Sequence, residues 1–323
     1  MSISAGCDRL YLMRIVSLLP SATEIVCALG LEGRLIAVTH ECDFPSGIDA
    51  RPQITSSRIS HETMSSSEID HAVRSQLDGH GSIYDLDTAL LAELKPDLII
   101  TQELCDVCAV SYKTVSSAAK MFTADAHVVS LEPNTIEDIF SNILTVGGLA
   151  GIKERADEVV SELRERLDRL REQTAVVEDD PRVMMLEWLE PPFAPGHWVP
   201  EQVEAAGGEC VLGRAGERSV ATSYEAILEA DPDVLVMIPC GFYIKDTIRQ
   251  LEKTQFPAKW RRMKAIEQGN IWAMDATSYF SRPGPRVVDG AELLAGLLHP
   301  GVFSEPDNTQ AVRLEKNLLR FRD

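Results

Sequence analysis

The sequence predicts an α/β protein: two α/β lobes with parallel-type sheets, joined by one long helix. Three observations carry this. Short apolar runs alternate with amphipathic helical stretches, the pattern of a helix-covered parallel sheet. A charged stretch without proline, Gly151 to Thr174, interrupts the alternation once. The segment ALLAELKPDLIIT before the interruption has a counterpart, AILEADPDVLVMI, after it. Each reads as a helix, a Pro-Asp break and an apolar strand, so one α/β unit is duplicated. The lobes are expected at 14–150 and 181–299, the connecting helix at 151–174 and a C-terminal tail at 300–323.

The elements follow in order. Arg14 to Leu18 is a buried strand, Pro20-Ser21 opens a helix to Leu29, and Gly30 ends it. Leu35 to Val38 is a second strand, followed by the loop THECDFP. Residues 46–67 are rich in Ser, Thr, Pro and Gly and read as loop. Helices are expected near 66–78 and over Leu86–Leu94, with Lys95-Pro96 leading into a strand at Asp97–Thr101. The loop TQELCDVCAV, a helix near 112–121 and a strand at His127–Ser130 complete the first lobe. In the connecting stretch Val159, Leu163, Leu167 and Leu170 recur at helical spacing. Its roughly 23 residues span about 35 Å. The second lobe has strands at Arg182–Leu186, Asp233–Ile238 and Asn270–Met274, and helices at Val199–Ala206, Ala226–Glu229 and Arg286–Leu298. The tail is expected to end in a short basic helix.

Composition excludes some functions. The chain of 323 residues is 45% hydrophobic and 25% charged, with a net charge of −19. That balance disfavours phosphate backbones and anionic membrane surfaces, which both want Lys and Arg clusters. No run of 18 apolar residues offers a membrane span. Ser4-Ala5-Gly6-Cys7 has the form of a lipoprotein cleavage site, but only six residues precede the Cys, too few for an apolar signal core. Seven unevenly spaced cysteines fit a reducing compartment, so a cytoplasmic location is expected.

Ligands of open parallel sheets bind beyond the carboxyl ends of the strands. The loops holding His40 and Cys42, and Cys105 and Cys108, both leave such ends. Imidazole and thiolate together suit zinc, iron or another thiophilic metal. Four ligands from two loops would close a tetrahedral site. The same CxxC could instead form a redox pair, or its thiols could be small buried hydrophobes. In LEWLEPPFAPGHW, Phe193 and Trp198 can stack on a flat ligand, with His197 beside them. Arg282 suits an anionic group. Nucleotide-binding glycine loops, the G-x-S-x-G elbow and the H-E-x-x-H zinc motif are absent.

The segments IVSLLPSATEIVCALG, LKPDLII, EPPFAPG, VPEQVEAAGGE, YEAILEADPDVLVM and SRPGPR carry a resemblance. From about Arg14 to Leu298 the chain resembles the class III solute-binding proteins of ABC importers, most closely their cobalamin-binding branch. The resemblance implies ligand held between the lobes, little hinge closure, and an acidic side chain on each lobe docking an ABC permease. By position these are Asp87 and Glu225. Relatives of that branch line the cleft with aromatics. Here Glu41 and Gln102 stand at two such positions, while Phe193, Phe280 and Arg282 are kept and His197 and Trp198 are additions. His40 is a candidate ligand for the cobalt of a corrinoid. The expectation is therefore a binding protein for cobalamin or another corrinoid, with no nucleic-acid partner. Zinc or iron at the His40, Cys42, Cys105 and Cys108 cluster is the other metal expectation. The competing reading is a metal-dependent or thiol-redox enzyme on the same scaffold, with Glu41 or Glu103 as acid–base group.

Overall fold

The computed structural model describes residues 13–57, 59, 63–78, 84–102, 117 and 126–322. By packing the chain divides into two compact units. One holds the chain up to Ile59 with Ala72–Pro133 and Glu137–Glu162; the other holds Ser60–His71, Asn134–Ile136 and everything from Leu163.

In chain order, the first half contains β1 (Ile15–Ser17), α1 (Pro20–Ala28), β2 (Leu35–Ala37), β3 (Thr55–Ser57), α2 (Ser66–Asp78) and β4 (Tyr84–Leu86). It continues with α3 (Thr88–Leu94), β5 (Leu98–Thr101), β6 (His127–Ser130) and α4 (Ile136–Leu149). Its sheet runs β2-β1-β5-β6 with every pairing parallel. β1 and β5 are buried along their whole length, as continuous apolar runs require in a sheet covered on both faces. Val16, Leu18, Ala37, Ile54, Leu91 and Ile99 form the core.

Two expectations are corrected here. Residues 46–67 are not wholly loop, because β3 pairs antiparallel with β4. Leu86 belongs to β4, and the helix starts at Thr88 after Asp87 caps it by accepting from Leu90 N at 2.9 Å. The helix expected near 112–121 lies outside the described residues.

α5 (Lys153–Thr174) is the long helix. Val159, Leu163, Leu167 and Leu170 are all buried, as their spacing requires. After it come β7 (Arg182–Leu186), β8 (Trp188–Leu189), β9 (Pro192–Ala194), α6 (Val199–Ala205), β10 (Glu209–Cys210), β11 (Val220–Ala221) and α7 (Tyr224–Ala230). Then follow β12 (Val234–Met237), α8 (Ile244–Leu251), β13 (Gln255–Pro257), α9 (Lys264–Glu267), β14 (Ile271–Met274), α10 (Ala276–Tyr279) and α11 (Val287–Leu298). β15 (Ala311–Arg313) and β16 (Arg320–Arg322) end the chain. The sheet order is β10-β7-β12-β14-β15, parallel except for β15. Its core includes a stacked Phe256–Trp260 pair with centroids 5.0 Å apart, and Tyr224 meets both rings edge-on.

Residues 300–323 are no free tail. β15 closes one sheet edge, and β16 pairs with β13 through Phe256 and Phe321. Leu319 buried, Arg320 exposed and Phe321 half-buried is a period of two, which the basic residues mask in the sequence.

Candidate ligand-binding residues

At the carboxyl edge of the first sheet, the polar groups mostly bond one another. Thr23 Oγ1 donates to Ser17 Oγ at 2.8 Å, and Ser17 Oγ donates to the Leu19 carbonyl. Cys42 Sγ lies 3.1 Å from Thr23 Oγ1 and is only 3% exposed. Cys42 is therefore packed into its own unit. Gln102, at the end of β5, is also buried. Cys105, Cys108 and Glu103 lie outside the described residues.

His40 differs. Its Nδ1 lies 2.8 Å from Thr55 Oγ1, and its ring is half-buried. Among the described residues Nε2 has no hydrogen-bond partner. Burial pulls the imidazole pKa below its usual value, and neighbouring Glu41 opposes the shift. The Tyr84 ring sits 5.5 Å from His40, and its hydroxyl donates to Glu41 Oε1 at 2.9 Å. Phe44, in the same loop, is 44% exposed. Tyr84, Thr55 and Phe44 were missing from the sequence-derived site. The alternation Tyr84-Asp85-Leu86 is the signal that could have placed Tyr84 on a strand.

In the second unit, Glu187 leaves the carboxyl end of β7. Its Oε1 accepts from Gly196 N at 3.1 Å and its Oε2 accepts from Ser219 Oγ. Burial pushes this carboxyl up to about 7 against those two bonds. Glu187 thus pins the loop that follows β9 to the strand segment ahead of β11. A Cβ at Gly196 would meet Ser219 N at 2.2 Å, so only glycine fits this approach. Phe193 is half-buried in β9, directly opposite Trp188 in β8. The Trp188 indole donates to the Ser66 carbonyl, and its ring meets Phe242 edge-on at 5.3 Å.

His197 is half-buried at φ 52, with its pKa lowered by burial and then by Arg218. Trp198 and Phe280 were expected to face the ligand. Both are buried, and the Trp198 indole N–H is spent on the Phe280 carbonyl at 2.9 Å. Arg282 is buried too, near Asp275, whose carboxyl it pulls down against a larger upward shift from burial. Asp87, the N-cap of α3, and Glu225, in the first turn of α7, are both exposed.

Among the described residues no three His, Cys, Asp or Glu side chains gather to hold a metal ion. Burial also raises Cys27 to about 11 and Cys210 to about 12, so neither is a thiolate near neutrality. No helix of the described residues is long and apolar enough to cross a membrane.

Comparisons with known proteins agree with this architecture. The profile of a family described as periplasmic binding protein matches residues 15–277. A vitamin B12-binding protein of Vibrio cholerae is 25% identical over 283 residues, covering 86% of each chain. An ABC transporter substrate-binding lipoprotein of Bacillus subtilis is 23% identical over 302 residues, covering 90% of this chain and 82% of the relative. The crystal structure of a periplasmic heme-binding protein from Pseudomonas aeruginosa matches with a TM-score of 0.70 at 19% identity, over 94% of this chain and 99% of that one. These relatives lend the cytoplasmic expectation no support.

Proposed function

The chain belongs to the periplasmic binding protein family, and because two of the proteins it is similar to are named for binding vitamin B12 and heme, we propose that it binds a metal-centred macrocycle, a corrinoid or a heme, for an ABC importer. The observation that carries the ligand class is His40. Its Nδ1 is tied to Thr55 while Nε2 has no partner among the described residues, the pose of an imidazole that ligates a metal. The metal arrives as part of the cargo, and His40 supplies one axial bond to it. In the second unit the facing pair Trp188 and Phe193 offers apolar ring surface for a flat ligand. Arg282 is a candidate partner for a ligand carboxylate, on the strength of its residue type.

A free zinc or iron ion at His40, Cys42, Cys105 and Cys108 is the weaker reading, since Cys42 is buried against Thr23. Asp87 and Glu225 are proposed to meet the permease. Support comes from their exposure near the starts of α3 and α7, Asp87 as the N-cap of α3 and Glu225 as the second residue of α7.

The test is an absorption titration of the purified chain with aquacobalamin and with hemin. Saturable one-to-one binding with a shifted band for either is expected, and His40→Ala is expected to remove the shift. Absence of binding to both ligands would overturn the proposal.

A further inference from the structure

Resting on the reading that His40 meets the cargo metal, we propose that Thr55 and Tyr84 are positioning residues. Together they make the β3–β4 ladder a cradle for the imidazole, and the cradle selects macrocycles whose metal offers an exchangeable axial position.

The ladder geometry brings the two residues together. Thr55 faces Leu86 and Ser57 faces Tyr84. Residues two apart on a strand share a face, so Thr55 and Tyr84 project from the same side as diagonal neighbours. Thr55 holds the Nδ1 edge of His40, and the Tyr84 ring lies against it at 59°. The Tyr84 hydroxyl is anchored on Glu41, the next residue in the chain, so the cradle closes on the segment it orients.

The hydrogen-bond count lets this cradle accept a coordinated imidazole. Thr55 Oγ1 has three neighbours: His40 N at 3.2 Å, His40 Nδ1 at 2.8 Å and Thr39 Oγ1 at 2.7 Å. A hydroxyl offers two lone pairs and one proton. The backbone N–H takes one lone pair. The other lone pair and the proton serve Nδ1 and Thr39 in either order. When Nε2 binds a metal, Nδ1 carries the ring proton and donates to Thr55. Thr55 then turns its own proton to Thr39. All three contacts at Thr55 survive coordination. Thr55 is 7% exposed and Thr39 is 3% exposed, so water competes little for these bonds.

The experiment uses the full chain and two ligand pairs: hemin against metal-free protoporphyrin IX, and diaquacobinamide against dicyanocobinamide. Within each pair only one member offers an exchangeable axial site. For the pair that binds, Thr55→Val and Tyr84→Ala are expected to weaken that member by about 10–100-fold and leave the other unchanged. Thr55→Ser is expected to restore affinity, and Tyr84→Phe, which loses only the Glu41 anchor, to fall between. Equal weakening of both members would make the two residues merely structural and overturn the inference. Far-UV circular dichroism separates unfolded variants, and Thr55→Ser and Tyr84→Phe keep the test alive if the larger changes unfold. If His40→Ala abolishes the axial band while Thr55→Val and Tyr84→Ala bind normally, the cradle fails and the ligand reading stands. If His40→Ala keeps the band, or the wild-type chain binds neither pair, the ligand reading fails and takes the cradle with it.

Discussion

The two halves repeat one another closely in backbone and hardly at all in side-chain chemistry. Sheet orders β2-β1-β5-β6 and β10-β7-β12-β14 are the same path traced twice. α3 and α7 each run for seven residues and end on a left-handed residue, Lys95 at φ 45 and Asp231 at φ 44. Asp97 accepts from Arg14 N at 2.8 Å, and Asp233 accepts from Arg182 N at 3.0 Å, tying corresponding strands together. The strand ends then diverge. Four residues beyond Ile15 stands Leu19; four beyond Val183, the matching position, stands Glu187. The first edge is filled with mutually bonded hydroxyls and one available imidazole; the second has a buried carboxyl pinning two loops. The frame is repeated, and the side chains differ where the frame ends.

The largest expected effect that sharpens this contrast is pH-dependent. Glu187 has a folded pKa near 7 against an ordinary 4.5, so its neutral form is the one the fold favours. Its contribution to stability is full below about pH 4.5, falls as pH rises and levels off above about 7. Urea midpoints measured from pH 4.5 to 8 should show this decline, and Glu187→Gln should flatten it. An unchanged slope in that variant would remove the asymmetry between the halves.

A smaller effect tests the repeat itself. Asp97→Ala and Asp233→Ala should each cost about 0.5–1.5 kcal/mol, the range for one hydrogen bond. Asp233→Ala should cost more, because Asp233 is less exposed and also has Lys264 Nζ at 3.5 Å. The reverse order, read from denaturant midpoints, would break the equivalence.

The smallest effect separates the two helix ends. Lys95→Gly should stabilise by about 0.5–1 kcal/mol, since glycine adopts the left-handed region without a Cβ penalty. Asp231→Gly should not, because the Asp231 carboxylate accepts from Lys264 N at 2.9 Å. Equal stabilisation of both, seen in thermal midpoints, would count against a role for that bond.

Most of the frame was legible because it rests on patterns that local physics enforces. The runs at 15–16, 98–100, 183–186 and 234–237 are apolar because both sheet faces are covered. The apolar stripe of α5 marked its buried side. The short alternating strands were not legible. Thr55-Ser56-Ser57 is polar throughout and becomes a strand only because Tyr84-Asp85-Leu86 pairs with it from 27 or more positions away. The candidate site was half legible. His40 and Phe193 could be found by residue type and by the loops they occupy. Trp198, Phe280 and Cys42 have the same appeal in sequence, yet each faces inward, and burial is decided by partners that no local window contains.

The segment Ser60–His71 packs with the second unit although it lies in the first half of the chain. Gln250 holds it from both ends of its amide, accepting from Ser66 N at 3.1 Å and donating to the Met64 carbonyl at 2.7 Å, while Trp188 takes the Ser66 carbonyl. A cut through α5 would therefore not yield two self-sufficient pieces. A fragment starting at Leu163 would expose the amide of Gln250 and the indole N–H of Trp188 with their bonding partners left on the discarded piece. Anyone wishing to express the second lobe alone must carry residues 63–71 along, grafted or added in trans as a peptide.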